Sequence, residues 1–213
     1  MAGVGSSDAH LNGWLQRASA LLDEVDRAPE TTAAAAAELA HTAGDPAVAS
    51  IAWRAAGIGL RMTGRLDDAL DAFDEAVAAA ERCDDLQLAG LARTSRAAPR
   101  FITGDMTGGL DDLRFALAHL EGGDRGVAVF QHAQYLDVIE DPTATDEFDR
   151  AVSLLRGSPP HVKYLGHALA NRGLHHTMYG RFDEARSDLA AARAIWDALG
   201  LEALAATVEH NLG

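Results

Sequence analysis

Four histidines crowd one stretch of the chain: His161, His167, His175 and His176. His167, Asn171 and His175 are spaced by four, so a helix through them carries all three on one face. Imidazoles so placed can ligate a metal or move protons. A metal site needs about three convergent ligands in a recognisable spacing, and the chain has neither HExxH nor a Cys/His pattern. The histidines therefore read as a polar surface face, and no metal or cofactor is expected. The single thiol, Cys83, closes the run Ala80-Glu81-Arg82-Cys83-Asp84-Asp85. A nucleophilic cysteine wants nearby cations that lower its pKa, and a helix end followed by two aspartates does the opposite. GxSxG is absent, Gly57-x-Gly59 follows no strand, and the acid pairs Asp111-Asp112 and Glu140-Asp141 read as caps and solvated charge. The expectation is a protein that binds and is not an enzyme.

Arginine carries more information. Arg54, Arg61, Arg65, Arg82, Arg93, Arg96 and Arg100 place 7 of the 18 basic residues between positions 54 and 100. Arg54 and Arg61 lie seven apart on one helix face, and Arg93, Arg96 and Arg100 share a face on the next helix. Two readings stay open. One is a cationic stripe that receives an acidic segment; the other is a set of salt bridges to Asp67, Asp68, Asp71 and their neighbours, each worth little.

The elements that must position these side chains follow from composition. The chain has 213 residues, 48% hydrophobic, of which 44 are Ala, and only 6% aromatic. That mixture builds thin cores of small side chains between closely packed helices. With 32 acidic and 18 basic residues the net charge is −14, which gives no field for steering onto nucleic acid or an anionic membrane. Lys163 is the only lysine, so a P-loop, a Schiff-base lysine and a polybasic anchor are poorly supported. One cysteine excludes an intrachain disulfide. No run approaches the ~18 apolar residues of a membrane span, and the first residues lack a signal-peptide pattern, so the cytoplasm is the expected compartment. The Ala- and Arg-rich, Lys-poor usage resembles a high-GC bacterial coding style.

Apolar residues recur at three and four throughout, as in Leu11, Trp14, Leu15, Ala18, Leu21, Leu22 and Val25. Breaks at Pro29, Gly44-Asp45-Pro46, Gly64, Gly104, Gly122-Gly123, Asp141-Pro142, Gly157 to Pro160, Gly180 and Gly200 divide the chain into eleven expected helices. These helices repeat. Gly64-Arg65-Leu66-Asp67-Asp68-Ala69 returns as Gly180-Arg181-Phe182-Asp183-Glu184-Ala185, and Gly104-Asp105 opens a weaker copy. A further copy is due near residue 140, where Phe148-Asp149-Arg150-Ala151-Val152 echoes Phe73-Asp74-Glu75-Ala76-Val77. In each copy a glycine permits the turn, acids sit on the next helix's first turn, and small Ala69 or Ala185 admits close packing with Phe73 or Leu189 one turn on. One helix pair cannot bury its apolar face alone, so copies must stack.

Trp53, Ala56-Gly57, Leu60, Gly64, Ala69, Phe73 and Ala76, with Leu169, Gly173, Gly180, Ala185, Leu189 and Ala192, resemble the tetratricopeptide repeat (TPR) pattern. The middle copies are degenerate (Gly109, Leu113 and Ala116; Tyr135, Ala144, Phe148 and Ala151), and their spacing is longer than the family's. The resemblance covers most of residues 45–213 and extends to the long, Ala-rich repeats of bacterial CHAT-domain proteins. It implies an all-α, right-handed superhelical solenoid of antiparallel helix pairs: a cap or degenerate pair over 1–44, then an array of about four repeats over 45–213. It also implies ligand-facing positions about ten, six and three before each turn glycine: Arg54, Ile58 and Arg61; Thr94, Ala98 and Phe101; Ala170, Leu174 and Thr177. The partner-binding face is accordingly expected at Arg54, Ile58, Arg61, Thr94, Arg96, Phe101, His167, Asn171 and Leu174.

The implied function is a non-catalytic scaffold whose array binds a peptide, a helix or an effector domain of its own longer protein. The expected partner segment is acidic with an apolar anchor. The alternative is a regulatory sensor that binds a small ligand or signalling peptide and changes curvature. Thr207 to Gly213 match the first half of a further first helix, with Leu212-Gly213 where the family's Leu-Gly sits. The expectation is a protein that continues past residue 213; a short closing helix from Ala203 to Leu212 is the competing reading.

Overall fold

The structure, a computed structural model, describes the backbone of residues 4–212 and the side chains of residues 11–208. Every regular element among them is helical: α1 (Val4–Glu24), α2 (Pro29–Thr42), α3 (Pro46–Met62), α4 (Leu66–Arg82), α5 (Leu86–Thr103), α6 (Met106–His119), α7 (Gly122–Val138), α8 (Ala144–Arg156), α9 (Val162–Met178), α10 (Phe182–Ala198) and α11 (Glu202–Leu212). A single 3-10 turn, Pro159–His161, leads into α9. Consecutive helices pack in pairs: α3 with α4, α5 with α6, α7 with α8 and α9 with α10. This is the all-α array of stacked helix pairs that the repeat implied.

The turns explain the repeat's spacing. Gly64, Gly104 and Gly180 have φ of 80°, 90° and 73°, the left-handed region in which a Cβ is costly. The copy due near residue 140 is present, but Glu140 takes the turn at φ 55°. Its missing glycine is why the sequence signal fades there. Asp45 caps α3 by accepting from the N–H groups of Ala47 and Val48, and Asp85 caps α5 through Leu88.

The chain forms two compact units, Met1–His119 and Leu120–Gly213. In the first, α1 and α2 both pack on α3. Phe73 is fully buried, and its ring occupies the space that a Cβ on Gly57 would need. In the second, Leu189 presses on Gly173 in the same way, and Phe148, Ala151 and Leu155 fill the α8 core. The last helix, α11, packs on α10 and buries Ala205 and Val208. The side chains at the expected Leu212-Gly213 pair lie outside the described residues.

Candidate functional site

In the first unit the three arginines of α5 are structural. Arg96, on α5, is buried and grips Asp112 of α6 with two bonds, Nε to Oδ2 at 2.8 Å and Nη2 to Oδ1 at 2.6 Å. Its Nη1 donates to Asp74 of α4. Arg100 adds a bond from Nη1 to Asp112 Oδ2 at 3.0 Å and another to the Gly108 carbonyl. Arg93 lies 3.9 Å from Asp112, pairs with Glu81 at 2.9 Å and stacks over the Phe115 ring at 4.2 Å. Burial alone would lower the Arg96 pKa, but its bonds and charge pairing with Asp112 and Asp74 outweigh that and raise it. A carboxylate that is 1% exposed is tolerated because three guanidiniums surround it.

These bonds revise the expected face. Asp112 is not a solvated cap, and Arg96 is committed to the interior. Thr94 is buried too, its hydroxyl donating to the Gly90 carbonyl at 2.8 Å. Phe101 packs on Gly109 of α6. The residue of α5 that meets α3 is Ser95, whose hydroxyl accepts from Arg54 Nε at 3.0 Å. On α5, Ser95 therefore stands where Thr94 was expected. The bonds of Arg96 and Arg100 to Asp112 hold the neighbouring side of α5 against α6. Arg54, Ile58 and Arg61 remain half-buried along α3, where Arg54 meets Ser95 of α5.

The second unit repeats the clasp. Arg172 of α9 holds Asp188 of α10 with Nε and Nη2, both at 2.7 Å, and Asp149 of α8 with Nη1 at 2.8 Å. The Asp188 bonds raise the Arg172 pKa against the opposing effect of burial. Of the expected face residues, Asn171 accepts from Gln134 Nε2 of α7 at 3.2 Å, and Leu174 is exposed. His167 stacks edge-on against Trp196 of α10, with ring centres 5.3 Å apart. His175 and His176 are buried, contrary to a surface row of histidines. The His175 ring bridges Asp137 at 2.6 Å and the Thr145 hydroxyl at 2.7 Å, tying α7, α8 and α9 together. Burial, reinforced by the charge of Arg181, holds the His176 pKa below its usual value against the pull of Asp188.

Sequence reasoning missed one chain of contacts: Ser158 hydroxyl to His161 Nδ1 at 2.8 Å, and His161 Nε2 to Asp124 at 2.9 Å. The residue types are those of a nucleophilic triad, but the ring nitrogens are exchanged: a triad serine meets Nε2 and its carboxylate Nδ1. Here a Cβ on Gly123 would collide with both Ser158 Oγ and the His161 ring, so the hydroxyl is packed against the start of α7. The contact ties the 3-10 turn to that helix. The Ser-x-x-His spacing was its one sequence signal. Cys83 is exposed beyond the end of α4, and no group of three metal-ligating side chains occurs among the described residues. No described helix is long and apolar enough to cross a membrane.

No protein-family model matches the chain, and no curated protein matches it. Solved structures do. The chain is similar to BtubC (BKLC) from P. vanneervenii, with a TM-score of 0.63 and 15% identity over 87% of this chain and 80% of that one. It is also similar to a Podospora anserina putative kinesin light chain with nearly identical TPR-like repeats, at a TM-score of 0.56 and 11% identity, covering 89% and 96% of the two chains. A single-substitution variant of that protein gives 0.58 at 10% identity over 90% and 96%. At such identities the likeness establishes the fold: a TPR-like helical-repeat array. None of these neighbours supports a CHAT association.

Proposed function

We propose that the chain is a non-catalytic binding module that holds a segment of a partner protein along the exposed sides of its first helices. The observation that carries this reading is the division of labour within each repeat. The clasps of Arg96 and Arg172 turn one side of α5 and α9 into the core. The opposite sides meet the preceding first helices through Arg54 and Ser95, or Gln134 and Asn171, and keep half-exposed polar and apolar side chains facing outward. TPR-like folds commonly serve protein–protein interaction, which agrees with that arrangement.

On the first unit the face-lining cations are Arg54 and Arg61, flanking Ile58. An acidic segment with one apolar anchor complements them, whether it comes from another protein or from an effector domain of a longer form of this one. Binding through these charges weakens as salt rises. Capture of partners from source-cell lysate, comparing the native chain with an Arg54→Glu, Arg61→Glu double variant, tests the placement. The expected result is loss of the partner. Undiminished capture by the double variant contradicts it.

A further inference from the structure

The second unit carries an apolar surface that the face described above does not use. Of the ten large hydrophobic side chains exposed among the described residues, five lie at one end of this unit: Val138, Ile139, Met178, Tyr179 and Phe182. Val138 is 73% exposed, Met178 70% and Phe182 63%. The end of α7 and the end of α9 lie together, because Asp137 bonds to His175 and the His175 ring stacks on Tyr179 at 4.7 Å. Val138 follows Asp137, Met178 stands one turn beyond Leu174, and Phe182 opens α10 just after the Gly180 turn. Water-exposed apolar side chains scattered singly need no explanation, but several gathered at one end of a unit mark a contact surface.

The rim supplies the sign of the partner. Glu140 and Asp141 follow Ile139, and Asp183 and Glu184 follow Phe182. The cation among them, Arg181, is half-buried and donates to the Thr145 hydroxyl at 3.3 Å. The whole unit has 14 acidic against 8 basic residues, a net charge of −6. An anionic membrane would be repelled by that rim, and an acidic segment likewise. We infer that this end of the second unit docks a basic amphipathic helix, whose apolar residues sit on Val138, Met178 and Phe182 while its Lys and Arg side chains meet the acidic rim. The inference rests on the reading of the chain as a binding module and adds a second surface with a partner of opposite charge.

Synthetic peptides of roughly five helical turns test it. One carries an apolar face with Lys and Arg opposite, a second carries the same face with Glu opposite, and a third scrambles the basic peptide to destroy its amphipathic pattern. Fluorescence anisotropy with the full chain should show the basic peptide binding at least about tenfold more tightly than either control. Met178→Ser with Phe182→Ser should weaken it about tenfold, as should Glu140→Lys with Glu184→Lys. All four side chains are exposed, and a Val138→Ser variant probes the same surface from α7. Equal binding of the three peptides, absence of binding, insensitivity to the Met178 and Phe182 substitutions, or preference for phosphatidylserine vesicles would each overturn the inference. A lysate partner lost only on Arg54→Glu, Arg61→Glu would overturn it while leaving the broader binding reading intact.

Discussion

Asp112 and Asp188 hold matching places in the two units, and the cations around them differ. Arg96 and Arg172 stand 76 positions apart, as do Asp112 and Asp188, and each arginine reaches back to the preceding second helix, to Asp74 or Asp149. In the first unit Arg93 and Arg100 join the same carboxylate. The positions 76 further on are Leu169 and His176. The second unit therefore keeps one permanent cation and replaces another with an imidazole, 3.8 Å from Asp188, whose pKa burial holds below its usual value. The clasp itself is what the repeat needs, since it joins a first helix to the second helices on both sides. The extra cations are what one unit uses to bury its carboxylate more deeply.

Removing the shared carboxylate is the harshest way to break the comparison. Asp112→Ala takes the shared carboxylate from Arg96, Arg93 and Arg100 and should cost about 3–5 kcal/mol in chemical denaturation. Asp188→Ala should cost less, because one arginine loses a partner there instead of three. Equal costs would mean that the additional arginines contribute nothing.

The apolar contacts come next. Phe73→Ala, at a fully buried ring between α3 and α4, should cost about 3–5 kcal/mol, and Leu189→Ala about 2–5 kcal/mol. A loss below ~1 kcal/mol at Phe73 would mean that the repeat register is wrong. At the turns the effect is smaller. Gly104→Ala should destabilise by about 1–2 kcal/mol, because alanine must hold φ near 90°. Glu140→Gly should leave stability unchanged or raise it by less than about 1 kcal/mol, relieving the left-handed turn while loosening the unfolded chain.

The mildest test is acidity. Burial, with help from Arg181, depresses the His176 pKa, so the unfolded chain takes up a proton that the folded one resists. Stability is then fully present above the unfolded value of about 6.5 and declines as pH falls below it, until the folded imidazole itself protonates. Unfolding curves between about pH 7.5 and 5.5 should show this loss in the native chain and a smaller one in His176→Leu.

These comparisons also explain what the sequence could show. Periodicity and the Gly, Ala and Phe/Leu spacing exposed the helix pairs, because each of those residues acts through local geometry. Glu140 weakened the signal of its repeat because an acid stands where the turn favours glycine, and the copy was legible only from Phe148 to Val152. The site was harder to read. The burial of Arg96 depends on Asp112, sixteen residues further on and on another helix, and nothing in the Asp111-Asp112 pair distinguishes a solvated cap from a buried anchor. The signal existed only as a coincidence of two pairs with the same separation, Arg96 with Asp112 and Arg172 with Asp188. Exposure of the Val138 and Met178 end was equally silent, since periodicity alone places those residues at the edge of an apolar stripe.

Position-specific photo-crosslinking tests the central claim most directly, that the sides of the first helices left open by the clasps receive a protein partner. A photoreactive residue at Ile58, at Leu174, or at the outward Glu75 and Arg186 of the second helices can be introduced into the full chain in its source cells. The account predicts one partner crosslinked from Ile58 or Leu174 and none from Glu75 or Arg186. Crosslinking from the second-helix positions with none from the first-helix ones would contradict it.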